Sequence, residues 1–151
     1  ADNNATELVF ATGASEAAAE QMRIASDGKI GVNCSDPGAQ VDIRGDAGTG
    51  TATAGVLRLS TAETTVVDAD QLGRIEFIAP KETGADALLV AASIYAEADA
   101  TFSATENSTD LVFATGISEA ASEKMRITSG GQIVERGSAF HSSTNRALVF
   151  G

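Results

Sequence analysis

Tryptophan is absent, and one tyrosine with six phenylalanines is all the aromatic content. Few of the large flat side chains that dominate small cores are therefore available. A single cysteine, Cys34, excludes an intrachain disulfide and reads as a small buried hydrophobe. Basic residues number 10 against 21 acidic ones, a net charge of −11, and they are scattered. Direct binding to nucleic acid needs clustered Lys and Arg, so it is not expected. No apolar run approaches the roughly 18 residues of a membrane-spanning helix, and the start carries no signal-peptide pattern, so no membrane insertion is expected.

Catalytic signatures are equally scarce. The one histidine, His141, lies in a polar Ser-Ser-Thr-Asn stretch, and no G-x-S-x-G elbow accompanies the serines. It reads as a solvated or interchain hydrogen-bonding group. Gly48-Thr49-Gly50 has no following Lys and reads as a linker, not a phosphate cradle. Asp68 with Asp70, or Glu97 with Asp99, are the carboxylate pairs to weigh against glycoside chemistry. In a chain this acidic such pairs arise by chance, and a solvated strand face accounts for them. Asp68-Ala69-Asp70 lacks the Gly and distal Glu of an EF-hand loop. No catalytic residue, cofactor-binding residue or metal ligand is assigned, and no enzyme activity is expected.

What the chain does have is a repeat. Residues 6–33 (TELVFATGASEAAAEQMRIASDGKIGVN) return as residues 109–136 (TDLVFATGISEAASEKMRITSGGQIVER), identical at 18 of 28 positions without a gap. The identities fall on Leu8-Val9-Phe10 and Met22-Arg23-Ile24, on their copies at Leu111 and Met125, and on turn glycines. A repeated unit of this kind is structural. The offset of 103 in 151 residues leaves about one and a half periods, as expected of a window from a longer protein.

Strand patterns recur and helix patterns do not. Val41 and Ile43, Leu57 and Leu59, and Ile75 and Phe77 each alternate with polar residues. Residues 88–97 read as a central strand with two apolar faces. Gly- and Asp-rich turns separate these runs. The Ala-rich connector 15–20 and its copy 118–123 have helical propensity but are too short for an independent helix, so a wide hairpin loop or single helical turn is expected. The alternation predicts burial of Leu8, Phe10, Met22, Ile24, Val41, Ile43, Leu57, Leu59, Ile75, Phe77, Val90, Ile94, Leu111, Phe113, Met125 and Ile127. Phe10 and Phe113 read as core residues before sugar-stacking ones.

The ordered blocks LVFATG, an acidic Ala-rich spacer, MRI, a Gly turn, DPGAQVDIRG, then LRLSTAETTVVDADQLGRIEFIAP, ASIYAEA and TDLVFATG resemble segments of bacteriophage tail fibre and host-specificity proteins. The resemblance spans residues 6–133. It implies β-rich modules strung along a homotrimeric shaft on the virion tail, of the type found upstream of endosialidase-type chaperone domains. Residues 141–150 resemble the approach to such a domain, whose own sequence is not in this chain, so self-cleavage is not expected of it. Val134-Glu135-Arg136 departs from the Gly-rich continuation kept at Ile30-Gly31-Val32.

The expected fold is therefore all-β, with elongated tandem β modules in a homotrimeric fibre. Residues 1–45 form the closing hairpin of a preceding repeat plus a connector, 46–136 a full β module ending in the repeated hairpin, and 137–151 the start of the next segment. The expected function is a structural fibre module that positions or contributes to receptor binding. A carbohydrate-binding adhesin module or a filament-forming extracellular protein is the alternative, and a glycan depolymerase the remotest reading. Expected partners are the chain itself, other tail proteins and a host surface glycan. Because residues 6–24 enter without the long block that precedes their copy, they are expected to carry unpaired edges, and residues 1–33 are expected to make more interchain contacts per residue than residues 56–102.

Overall fold

A computed structural model describes residues 4–15, 17–79 and 83–135, and the backbone of 138–140. The described residues form two β-sheets, with 3-10 turns at Thr51–Thr53 and Asp86–Leu88. Contacts divide the chain into two units, Ala1–Arg58 and Leu59–Gly151.

The first unit holds β1 (Leu8–Thr12), β2 (Ala19–Ile24), β3 (Ile30–Val32) and β4 (Val41–Ile43) in that order across one sheet. The second holds β5 (Gln71–Phe77), β6 (Ala92–Ala98), β7 (Thr109–Thr115), β8 (Ser122–Ile127), β9 (Ile133–Glu135) and β10 (Ser138–Phe140), in sequential order. The sequence repeat is a structural repeat: β1, β2 and β3 correspond to β7, β8 and β9. Leu8 faces Ile24 and Phe10 faces Met22, as Leu111 faces Ile127 and Phe113 faces Met125. Both hairpins also shift register immediately after the Phe. The Ala-rich connectors are hairpin loops, and their last residues already belong to β2 and β8. Gly28 and Gly131, at φ 84° and 78°, make the left-handed turn that leads out of each MRI strand.

The copies part company at Gly31. Its added Cβ would lie 2.0 Å from the backbone oxygen of Cys34, because the chain doubles back there. Asn33 takes a left-handed φ of 52°, and β4 returns to pair parallel with β3. The corresponding residue in β9 is Val134, whose side chain forbids that approach, and β9 pairs antiparallel with β10 instead. This is a physical account of the Val-Glu-Arg departure seen in the sequence.

Two sequence expectations need correction. Leu57 and Leu59 lie outside any strand, and residues 88–91 precede β6, which begins at Ala92. Leu59 nonetheless lies close against β5, since a Cβ on Gly73 would sit 2.8 Å from the Leu59 oxygen. The predicted core is corrected more broadly. Within one chain none of its side chains is buried: Met22, Ile43, Val90, Ile94, Phe113 and Met125 are half-buried and the others exposed. Among the described residues the buried hydrophobic ones are Cys34, Ala98, Val112 and Ala114, joined by Ser93 and Asp110.

Candidate assembly faces and the arginine clusters

Each sheet has two faces of different chemistry, set by the two-residue period of its strands. On one face of the second sheet, Gly73, Ala96, Leu111, Ile127 and Ile133 form a cross-strand row beside Ile75, Ile94, Phe113, Met125 and Glu135. The first sheet repeats the pattern with Leu8, Ile24, Ile30 and Val41 beside Phe10, Met22, Val32 and Ile43. Large side chains standing abreast cannot cover one another's tips. Phe10 is 49% exposed, Phe77 52% and Val41 56%.

The opposite faces are polar, yet that of the second sheet contains Val112, Ser93, Asp110 and Ala114, all at most 3% exposed. In the second sheet Arg74, Tyr95, Val112, Arg126 and Val134 form one row. Val112 is fully buried because Tyr95 and Arg126, long side chains on both neighbouring strands, fold over it. Ala114 is buried between Ser93 and Glu123, its small side chain lying flush with the equally dry Ser93 on one neighbouring strand and Glu123 on the other. The Arg74 guanidinium lies 5.4 Å from the centroid of the Tyr95 ring, within cation–π range.

Arg126 organises this face. Its Nε and Nη2 donate to the two carboxylate oxygens of Glu123, each at 2.6 Å, Nη1 donates to Asp110 at 2.6 Å, and Nη2 also donates to Glu97 at 3.0 Å. The second oxygen of Asp110 accepts the Ser129 backbone N–H at 2.8 Å. The hydrogen bonds from Arg126 hold the Glu123 carboxyl below its ordinary pKa, and the surrounding carboxylates raise that of Arg126.

The first sheet carries the same device with one partner fewer. Arg23 donates through Nε and Nη2 to Glu20 at 2.5 and 2.6 Å, and through Nη1 to Glu7 at 2.5 Å. The Arg23 hydrogen bonds likewise lower the Glu20 pKa. Glu7, Glu20 and Arg23 are the repeat equivalents of Asp110, Glu123 and Arg126.

Three of the four carboxylates weighed as glycosidase pairs, Asp70, Glu97 and Asp99, have structural duties. Glu97 belongs to the Arg126 cluster, and Asp99 accepts the Ser129 hydroxyl at 2.8 Å. Asp70 accepts the Val67 backbone N–H at 2.8 Å, closing a turn. Among the described residues no group of three or more His, Cys, Asp or Glu is arranged to hold a metal ion. Cys34 is buried, as a small hydrophobe would be. Phe10 and Phe113 lie on the apolar faces. His141 lies outside the described residues.

Sequence reasoning missed the arginine clusters, although the signal was present. Glu20 and Arg23 recur identically at Glu123 and Arg126, and an acid is kept at Glu7 and Asp110. Polar identity at strand positions in an otherwise apolar repeat marks such a network. No protein-family model matches the chain, and curated proteins offer no significant match.

Proposed function

We propose that this chain is a structural segment of a bacteriophage tail fibre, in which three parallel copies pack the apolar faces of their sheets around a common axis. The carrying observation is the inversion of burial. Among the described residues the large aliphatic and aromatic side chains are, Val112 apart, exposed or half-exposed, while the buried hydrophobic residues are a cysteine, two alanines and that one valine. At roughly 25 cal/mol per Å² of buried apolar area, that set contributes little against the entropy of ordering. Neighbouring chains that cover the Phe10 and Phe113 rows supply the missing burial.

The number three and the virion-tail location come from the resemblance of residues 6–133 to tail fibre proteins. In this reading the function is mechanical: the segment spaces and orients a receptor-binding tip, with other tail proteins and a host surface glycan as neighbours. The polar faces, closed by Arg23 and Arg126, point to solvent and keep fibres apart through their acidity. Sedimentation equilibrium tests the reading. A mass three times the chain's 15.3 kDa is expected, and a compact monomer at micromolar concentration overturns it.

A further inference from the structure

The free edge of β1 is an incomplete copy of a site that the second sheet shows completed. There, β6 lies antiparallel on β7, with Glu97 opposite Asp110, Tyr95 opposite Val112 and Ile94 opposite Phe113. Among the described residues β1 pairs only with β2. Three differences between the copies trace to this. The ladder of β7 starts at Thr109, whereas that of β1 starts at Leu8, two positions later in the repeat. Val112 is 0% exposed, and its equivalent Val9 is 44% exposed. Asp110 and Ala114 are buried, and their equivalents Glu7 and Ala11 are exposed. The sequences at these positions are nearly identical, so the missing neighbour, not the composition, accounts for the exposure.

We propose that β1 is an acceptor for an antiparallel strand with the chemistry of β6. The incoming strand carries a carboxylate opposite Glu7, a tyrosine opposite Val9 and a β-branched aliphatic residue opposite Phe10. Main-chain hydrogen bonds supply the affinity and the alternating side chains the selectivity. The carboxylate reaches Nη2 of Arg23, which donates to Glu20 alone among the described residues, whereas Nη2 of Arg126 serves both Glu123 and Glu97. The tyrosine covers Val9 as Tyr95 covers Val112. The aliphatic side chain extends the Phe10 row on the opposite face. This acceptor site does not depend on how many chains share the apolar faces.

A synthetic peptide of residues 90–99, added to the whole protein, tests the proposal by amide hydrogen exchange. The amides of β1 are expected to exchange about tenfold more slowly or better, with protection extending to Thr6 and Glu7. A peptide with Glu97→Gln protects less. A second arm joins a copy of residues 90–108 ahead of Thr6, reproducing the natural β6–β7 connection and removing the cost of bringing the strand from solution. If β1 stays as labile in that chain as in the parent, the proposal is wrong. Protection confined to β7, or protection of β1 that rises with protein concentration without any peptide, also overturns it. The second result assigns the edge to another copy of the chain. Solution mass is read separately, so failure of the acceptor site is distinguishable from failure of the trimer.

Discussion

Arg126 is the residue on which the polar face of the second sheet depends, because it faces three carboxylates of which Asp110 has a side chain only 3% exposed. Replacing it with Met keeps the aliphatic cover over Val112 but leaves Asp110 with the Ser129 N–H and no countercharge. A loss of about 2–3 kcal/mol is expected for Arg126→Met, read by denaturant unfolding. Arg23→Met is expected to lose less, since Glu7 is well exposed and rehydrates. The pH dependence has a definite sign. Glu123 has a lowered folded pKa, so its contribution is complete above about pH 4.5 and drains as the pH falls through the folded value. The stability difference between the parent chain and Glu123→Gln should therefore shrink on acidification, and a difference that grows contradicts the cluster. Alternation does not encode such a cluster, because it marks which residues are apolar and leaves a charged residue on a strand indistinguishable from a solvated one.

Hairpins were the most legible elements. Period-2 alternation and turn glycines located β1, β2, β7 and β8, and the repeat placed the same hairpin register in both copies. Alternation identifies which side chains share a face, but not which face is dry. That depends on side-chain length across neighbouring strands, as Val112 between Tyr95 and Arg126 shows. Strands beyond the hairpins depend on single contacts that pattern does not encode. Gly31 is the clearest, since one Cβ decides between parallel return and antiparallel pairing. Gly31→Val should therefore break β3 from β4. Overpacking costs about 1–3 kcal/mol, and a backbone contact this close places the loss at or above the top of that range. In a parallel ladder alternate residues donate to a given neighbour, so the amides of Asp42 and Arg44, the latter donating to the Val32 carbonyl, and that of Ile30, which donates to the Gln40 carbonyl, should lose their protection while β1 and β2 keep theirs. Retained protection in β4 shows that the Cys34 crossing has room to yield.

At the scale of the whole molecule, the question is where the energy of the apolar faces is realised. If three chains share them, removing a ring from the Phe10 or Phe113 row weakens association more than it weakens the ladder of the single chain, because Phe113 is already half-exposed there. Phe113→Ala should cost about 3–5 kcal/mol for each ring buried in the assembly. The loss should appear as a fall in mass at low concentration and as a melting temperature that depends on concentration. Ile117, 97% exposed at the end of the β7–β8 hairpin, provides the comparison. Ile117→Ala lies outside the cross-strand rows and should leave both quantities unchanged. Deleting residues 1–33 removes Leu8, Phe10, Met22, Ile24, Ile30 and Val32 together, and assembly should fall further than with Phe113→Ala alone. A deletion that associates as tightly as the parent assigns the shared core to the second sheet only, and a Phe113→Ala chain with unchanged mass and melting removes that sheet from it as well.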